Sequence, residues 1–308
     1  MPGFSGLFAS PAMRATILMV AIGFMLLEYG LSHLAHQADD THDWRESAAS
    51  FAVAIGQKVV RAAEAGLVAV PFAFAYQHRL FDFDQTSWIA LAGLFFGSEL
   101  LYYWQHRASH RIRWMWATHA VHHSPTRLNF TAAIRLGWTG TISGNFLFFL
   151  PLALIGCHPL AIVAMLSVNL LCQFFIHTEL APRVGPLEWV LNTPAHHRVH
   201  HACNESCLDR NYGGILIVFD RLFGTFAEAP EKERLSYGLV GGVPSLNPLR
   251  IAFGEWMAMA EDIRRAASWS ERWQALFGSP GASKAGRARD DASLSPRKAH
   301  HAFTTAGE

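Results

Sequence analysis

One stretch of this chain is as long and as apolar as the hydrocarbon core of a membrane. Residues 15–34 contain a single acidic residue in 20 positions. A helix of 20 residues rises about 30 Å, which matches the thickness of the bilayer core. Arg14 supplies the basic start, and no small-residue cleavage pattern follows, which favours an uncleaved membrane anchor over a secretory signal peptide. We therefore predict a first membrane-spanning helix here.

Four further apolar segments are candidates for membrane helices, and they occupy residues 62–77, 87–104, 138–157 and 159–176. The first of the four is shorter and contains Pro71, so it either crosses the membrane or enters and returns. Together with the first run, these segments predict an all-α fold, an integral-membrane helical bundle of about four to five membrane helices.

The last two apolar segments are separated only by His158 and Pro159, which predicts a hairpin of two helices. The chain then leaves one membrane face after about residue 137 and returns to the same face near His177. The histidine-rich segments on either side of the hairpin therefore share a compartment. Arginines accompany both segments, and an excess of basic residues marks the cytosolic side of a membrane. We expect a histidine-rich helical cap on the cytosolic face.

Composition divides the rest of the chain and excludes some partners. We expect an N-terminal membrane anchor and loop over 1–50, a membrane domain over 51–245, a C-terminal amphipathic helix over 246–273 and a disordered tail over 274–308. With 25 Lys and Arg against 24 Asp and Glu, the net charge of +1 leaves no positive excess for binding nucleic acid. Four cysteines are too few for a disulfide scaffold in a chain of 308 residues.

Histidine is concentrated in two places. Of 17 histidines, five lie in 106–123 and four in 196–201. His106 and His110 are spaced i, i+4 at the end of the helix that we expect to begin after Ser87, so they lie on one face within reach of a single metal ion. Two H-x-x-H-H motifs follow, and we expect each to gather three imidazoles on one helical face. The motifs are His119, His122 and His123, and then His197, His200 and His201.

Eight imidazoles exceed what one ion accepts and suit two ions, each with three to five nitrogen ligands. All-nitrogen sites fit iron, copper, nickel or zinc better than calcium or magnesium. A two-metal centre beside a bilayer favours oxygen activation and attack on a C–H bond. Two alternatives stay open, a zinc-dependent membrane hydrolase and a non-catalytic histidine-rich metal-binding protein. A hydrolase would need a carboxylate base beside the metals, and this sequence has no carboxylate between adjacent ligands of the kind that an H-E-x-x-H motif supplies.

Several other polar residues are candidates around these ligands. His177 ends the segment 159–176 and shares a helical face with Asn169 and Gln173, which makes it a candidate ninth ligand. Glu99 lies on the helical face of His106 and His110, where we expect its carboxylate to accept an imidazole N–H. His196 also stands four residues before His200 and is ambiguous by spacing. His300 and His301 lie in the predicted tail and are not expected to form a site.

The motifs HRASH, HAVHH and HRVHH together resemble the fatty acid hydroxylase and sterol desaturase superfamily of integral-membrane di-iron enzymes. The resemblance is closest to the alkylglycerol monooxygenase-like members, through stretches such as LLYYWQHRASH, GPLEWVLNTPAHHRVHHACN and CLDRNYGGILIVFDRLFGTF, and it runs from about residue 40 to 240.

The resemblance implies that the eight motif histidines hold two Fe²⁺ ions, that O2 is a co-substrate, and that a membrane lipid is hydroxylated or desaturated. The lipid would be an ether lipid, a sterol or a fatty acyl chain. No haem-binding or iron-sulfur region is visible, which implies a separate electron donor, and the oligomeric state stays open. Asp209, Asn211 and Tyr212 match the D-x-N-Y-G stretch after the last motif, and the resemblance implies that they support the ligands; a turn with a helix cap is the alternative. Arg111 stands where the animal alkylglycerol monooxygenases have Glu, which argues against a shared tetrahydrobiopterin requirement.

Overall fold

The computed structural model describes residues 10–36, 41–84 and 87–281, and within them the regular secondary structure is entirely helical, which confirms the predicted all-α fold. The predicted tail beyond residue 281, with His300 and His301, lies outside the described residues. The α-helices are α1 (Pro11–Leu34), α2 (Trp44–Gln77), α3 (Trp88–Arg111), α4 (Arg113–His123), α5 (Phe130–Ala133), α6 (Leu150–Ile155), α7 (Pro159–Ile176), α8 (Pro194–His201), α9 (Val218–Phe223), α10 (Pro248–Arg265) and α11 (Trp269–Phe277). Short 3-10 helices cover Asn145–Phe149, Gly185–Trp189 and Glu205–Cys207.

Three helices of the described ranges are long and apolar enough to cross a membrane, namely α1, α2 and α7. The first of them buries only Met25, Glu28 and Ser32, which recur on one face at helical spacing. Its remaining leucines, isoleucines and methionines are largely exposed. A water-soluble protein would bury such a surface, so these faces suit contact with lipid.

The segment predicted over 62–77 is the second half of the 34-residue helix α2. The helix starts earlier because the Asp43 carboxylate accepts the backbone N–H of Arg45 and caps the first turn. Its first half buries Ala49 and Val53 against α10 and α4, whereas Phe51, Ile55 and Val59 in the same half stay exposed. Pro71 lies within the helix without ending it.

The structure corrects the prediction of one spanning helix over 138–157. Residues 140–144 form turns, and the 3-10 helix Asn145–Phe149 together with α6 gives an apolar unit of only 11 residues. Glycine explains both ends, because Gly144 has φ +77° and Gly156 has φ +134°. Those dihedrals suit glycine and interrupt a helix. The short unit packs against α7, so the hairpin is present but its first arm is too short to cross a bilayer.

The histidine-bearing helices meet because α3 folds back as α4. Ile112 takes an extended conformation with φ −113° and ψ +117°, so the helix stops at Arg111 and restarts at Arg113 in a new direction. The two helices then pack along each other, α7 packs against α3, and α8 packs against α7. Both histidine segments therefore end in one region of the fold.

The C-terminal segment 246–273, expected as one amphipathic helix, contains two helices. Asn247 caps α10 through the N–H groups of Leu249 and Arg250, and Ser268 caps α11. Non-helical residues 266–268 separate them. A buried ion pair between Arg113 and Asp262, 2.6 Å long, holds α10 against the start of α4.

Candidate metal centre

The histidines converge on two adjacent groups, each with ligand atoms within 4.8 Å of one another. The five-histidine group contains His106, His110, His119, His123 and His200, and the four-histidine group contains His122, His177, His197 and His201. All nine predicted candidates are thus brought together, in the described part of the chain, as two sets. His177 belongs to the second set, whereas the ring of His196 lies against Phe226, 5.2 Å between centroids, and joins neither.

Each H-x-x-H-H motif serves both groups, which corrects the expectation that its three imidazoles share one face. Residues four apart on a helix differ by about 40° around the axis, whereas adjacent residues differ by about 100°. His119 and His123 therefore point to the five-histidine group while His122 points to the other. The second motif mirrors this, with His197 and His201 in one group and His200 in the other.

The ε nitrogens of these rings point at one another at distances suited to a shared ion. In the five-histidine group, Nε2 of His119 lies 3.0 Å from that of His106 and 3.2 Å from that of His123. In the four-histidine group, Nε2 of His177 lies 3.1 Å from that of His122 and 2.9 Å from that of His197. Two nitrogens bound at about 2.1 Å to one transition metal stand about 3.0–3.4 Å apart in octahedral or tetrahedral geometry.

The buried ε nitrogens of His110 and His200 have no hydrogen-bond partner in the described residues. A buried nitrogen without a partner costs about 1–3 kcal/mol, which a metal ion would offset by accepting its lone pair. The donor set therefore fits a transition-metal ion in each group on geometry, and in the five-histidine group on unsatisfied polar atoms as well.

Backbone carbonyl groups orient four of the imidazoles through the opposite ring nitrogen. Nδ1 of His106 is 2.8 Å from the oxygen of Tyr212, and Nδ1 of His200 is 2.9 Å from that of Arg210. His122 and His177 contact the carbonyl oxygens of Arg135 and Gln173 in the same way, at 3.3 and 2.6 Å. A hydrogen bond at Nδ1 fixes the tautomer that leaves Nε2 as the ligand atom. The sequence holds no signal for these partners, because every residue has a backbone carbonyl and no residue type marks the four that contact the rings.

Glu99 supports the site differently from the expectation. Its carboxylate contacts none of the imidazoles in the described ranges. Instead it accepts the backbone N–H groups of Ile215 and Leu216, at 2.8 and 2.9 Å, and the side-chain amide of Asn169. Asn169 in turn accepts a hydrogen bond from Gln173, whose own side-chain oxygen accepts from Tyr102. This polar chain ties α3, α7 and the segment 213–216 together below the rings.

The D-x-N-Y-G stretch is shaped by two unusual backbone conformations. Asp209 and Asn211 have φ +61° and +57°, in the left-handed region that Asn and Asp tolerate best after glycine. The Asn211 side chain donates to the carbonyls of His196 and Ala227 and accepts the N–H of Ala227. Asp209 pairs with Arg111 at 2.9 Å and lies 3.9 Å from Nδ1 of His110. These turns direct the carbonyls of Arg210 and Tyr212 at the rings.

Asp220 is a buried supporting residue that the sequence analysis missed. Its carboxylate accepts the N–H groups of Tyr212 and Gly213 at 2.8 and 2.7 Å and the hydroxyl of Thr225 at 2.6 Å. Burial raises the pKa of this carboxyl group, and these hydrogen bonds oppose that rise. An acidic residue inside the apolar run ILIVFDRLF was the available signal.

Arg135 is the second supporting residue that was missed. The guanidinium is 1% exposed, and it donates to the hydroxyls of Ser50 and Ser124 and to the carbonyl of Glu46. It thereby links α2 to the end of α4, while its own carbonyl orients His122.

Burial keeps the clustered imidazoles neutral. Desolvation lowers the pKa of His122 to about 4 and that of His200 to about 3. The pKa of each of the other seven also lies well below the usual value, first because of burial and then because neighbouring imidazoles repel a second charge. The neutral ring is the form that binds a metal, so the environment favours ligation over protonation.

A cavity of about 440 Å³ lies against one side of the histidine groups. Four histidines line it, together with charged groups from α4, α10 and the 209 turn and with two loop segments. These are His110, His123, His200 and His201, then Arg113, Asp209 and Glu255, and residues 238–241 and 279–281. The cavity gives a small molecule or a chain end direct access to both histidine groups.

Residues 91–225 match the family model for fatty acid hydroxylase. This segment is a fatty acid hydroxylase domain. The assignment confirms the resemblance inferred from the motifs, and the fatty acid hydroxylase domain contains all nine clustered histidines together with Glu99, Asn211 and Asp220. No solved structure matches the chain significantly.

Curated relatives of the fatty acid hydroxylase domain are lipid-modifying enzymes by name. Alkylglycerol monooxygenase from Xenopus tropicalis is 40% identical over 201 residues, 65% of this chain and 43% of the relative. The Homo sapiens alkylglycerol monooxygenase is 38% identical over 204 residues, 66% of this chain and 45% of the relative. Ornithine lipid hydroxylase OlsE from Rhizobium tropici is 32% identical over 142 residues, 46% of this chain and 43% of the relative. The chain thus spans less than half the length of these relatives.

Proposed function

We propose that this protein is a membrane-bound di-iron oxygenase that hydroxylates a C–H bond of a lipid. The observation that carries the proposal is the pair of adjacent groups of five and four neutral imidazoles, all buried except the half-buried His119, whose ε nitrogens converge at about 3 Å. The ligands that we propose are His106, His110, His119, His123 and His200 for one iron and His122, His177, His197 and His201 for the other.

Iron is proposed because a nitrogen-rich pair of sites beside a bilayer suits O2 chemistry, and because the named relatives are monooxygenases and hydroxylases. Zinc would suit the same nitrogen donors. A zinc hydrolase needs a carboxylate base at the metals. The buried carboxylates Glu99 and Asp220 are occupied by backbone N–H groups, which leaves Asp209 and Glu255 of the cavity as the groups that a hydrolase would use.

When bound, the two irons supply O2 activation and the oxidation of the C–H bond. The protein contributes positioning and a water-poor environment. The carbonyls of Tyr212, Arg210, Arg135 and Gln173 hold the rings in orientation. The chain of Glu99, Asn169 and Gln173 fixes the spacing of α3 and α7, and the cavity beside the rings offers space in which a lipid carbon can be held.

The substrate that we favour is an ether lipid, by analogy with the alkylglycerol monooxygenases, with sterols and acyl lipids as competitors. The relatives' names favour hydroxylation over desaturation. A separate electron donor is part of the proposal. We also propose that the histidine groups face the cytosol. Arginines accompany both histidine-rich segments of the sequence, as the positive-inside rule requires. These are Arg107, Arg111 and Arg113 in the segment 106–123, and Arg198 and Arg210 in and after the segment 196–201.

The decisive experiment uses the full chain in lipid nanodiscs, loaded with Fe²⁺ or Zn²⁺ and supplied with a reductant. Alkylglycerol, cholesterol and a phospholipid are incubated under ¹⁸O2, and products are analysed by mass spectrometry. We expect about two irons per chain and ¹⁸O from O2 in a hydroxylated product. A product whose new oxygen is unlabelled, and so comes from water, with the zinc-loaded protein would favour a hydrolase. Metal binding without any product would favour a non-catalytic protein.

His122→Ala and His200→Ala each remove one ligand from a different group. Each should reduce turnover by more than about 100-fold, beyond the losses typical of residues that merely orient ligands, while the protein stays inserted in the membrane. His33→Ala, on the exposed end of α1, is the matched control and should retain activity. Full activity in either ligand variant would remove that residue from the proposed set.

A further inference from the structure

Helix α11 presents an exposed aromatic stripe to its surroundings. Trp269, Trp273 and Phe277 are spaced i, i+4, i+8, and they are 82%, 66% and 42% exposed. At this spacing the three side chains lie within an arc of about 80° on the helix surface. Ala275, on the opposite side, is buried against the protein. The helix is therefore amphipathic with its larger apolar side chains turned outward.

Helix α10 repeats this arrangement. Leu249, Phe253 and Met257 share one exposed face at the same spacing, at 61%, 37% and 56% exposure. The inward face of the helix is already filled by Ile251 and Met259, which are buried. Two neighbouring helices thus carry outward apolar stripes that the described part of the chain does not cover.

We propose that α10 and α11 form a membrane-surface helix pair, whose exposed apolar stripes lie in the boundary between lipid headgroups and acyl chains. Amphipathic helices with Trp, Phe and Leu on one face bind in this zone. Tryptophan is enriched there because its ring is apolar and its N–H is polar.

Side-chain contacts connect the stripe on α10 to the membrane-spanning helix α2. Phe253 packs edge-on against Trp138, with ring centroids 5.8 Å apart. Trp138 donates through Nε1 to the carbonyl of Val53 and fills the notch at Gly56, where an added Cβ would lie 2.1 Å from the indole ring. The exposed neighbours of that notch on α2 are Ile55 and Val59. The apolar face of α10 therefore continues the exposed apolar face of a membrane helix.

The charges of the pair are close to balance, which favours a neutral lipid surface as the partner. Helices α10 and α11 contain four arginines and four acidic residues, of which Asp262 is paired with Arg113 of α4: Arg250, Arg264, Arg265 and Arg272 against Glu255, Glu261, Asp262 and Glu271. Glu261 pairs with both Arg264 and Arg265 at 2.7 and 2.5 Å. Binding should therefore depend on apolar insertion and occur on phosphatidylcholine without anionic lipid.

The end of α11 is attached to the histidine-bearing helix α4. The carbonyl of Gly278 accepts the backbone N–H of Arg113 at 3.0 Å, and residues 279–281 line the cavity beside the histidine groups. A lipid-embedded α11 would open this cavity toward the bilayer surface. That consequence rests on the proposed function, whereas the membrane contact itself does not.

The test measures where the stripe lies in the full chain, in phosphatidylcholine nanodiscs. Trp273→Cys and its neighbour on the polar side, Gln274→Cys, are each labelled with bimane, and the labelled parent chain gives the background from native cysteines. Quenching by brominated phosphatidylcholine reports contact with acyl chains, and quenching by iodide reports contact with water. Retained metal binding shows that each variant is folded.

We expect bromolipid to quench the label at 273 several-fold more than the label at 274, and iodide to show the reverse order. Equal exposure of both labels to iodide would overturn the proposal. Shielding of position 273 from both quenchers would also overturn it, since a second copy of the chain would then cover the stripe. The pair Trp269→Cys and Ser270→Cys repeats the comparison one turn earlier. None of these readouts requires turnover, so they can fail or succeed independently of the oxygenase proposal.

Discussion

The carboxylate of Glu99 accepts the backbone N–H of Leu216 at 2.9 Å, although 117 residues separate the two along the chain. The same carboxylate accepts the N–H of Ile215, and it is only 2% exposed. Through this contact an acidic side chain in the middle of α3 fixes the segment that follows Tyr212, whose carbonyl orients His106.

Glu99→Gln should destabilise the protein by about 2 kcal/mol, because the variant loses charge-assisted hydrogen bonds and presents an amide N–H₂ group toward backbone donors. The measurement is thermal unfolding in detergent. Glu231→Gln, at an exposed position, is the control and should leave the melting temperature unchanged. A Glu99→Gln protein as stable as its parent would mean that the carboxylate is dispensable for the 215–216 segment.

Gly214→Ala should destabilise the protein by displacing Asn169, the side-chain partner of Glu99. A Cβ at this position would lie 2.1 Å from Nδ2 of Asn169, so the asparagine would have to leave Glu99. We expect a loss of about 1–3 kcal/mol, the usual cost of overpacking a filled site. Gly66→Ala is the matched control, because nothing lies within 4 Å of its added Cβ. Equal melting temperatures for the two variants would contradict the packing described for Asn169.

His177→Ala and His196→Ala test which of two buried histidines binds metal. The first removes a ring that contacts two other ε nitrogens, and the second removes a ring outside both groups. We expect His177→Ala to bind the ion of its group more weakly, because one of four nitrogen ligands is lost, so that its metal content falls below two ions per chain while His196→Ala retains both. Metal content by mass spectrometry, at equal helical circular dichroism, decides this. A full metal complement in His177→Ala would exclude it as a ligand.

Acid should destabilise the metal-free protein. Burial holds the pKa of His122 at about 4 and that of His200 at about 3, whereas histidine in an unfolded chain has a pKa of about 6.5. Stability from these rings is therefore complete above pH 6.5 and falls as the pH drops toward the folded values, because the unfolded state then binds more protons. Each ring accounts for about 1.4 kcal/mol lost by pH 5.5. Melting temperatures of the metal-free protein from pH 8 to 5 measure this loss of stability. A melting temperature that does not change over this range would show that the rings are not buried as described.

Local patterns determined the elements that carry the site. Helical periodicity predicted that His106 and His110 share a face, and apolar runs predicted α1, α7 and the second half of α2. The apolar run over 138–157 gave a wrong prediction of one spanning helix. Hydropathy contains no information on the backbone dihedrals of Gly144 and Gly156, which interrupt the helix.

The sequence by itself determined that eight histidines stand at metal-binding spacing on short helices and that the chain has membrane-length apolar segments, because both properties depend on residues within a few turns of each other. Only the tertiary structure decided how the rings divide. It separated His122 from its neighbour His123, added His177, left out His196, and turned Glu99 toward a distant backbone segment. Those outcomes depend on the angles at which α3, α4, α7 and α8 pack, and such angles are set by contacts between residues far apart in the chain.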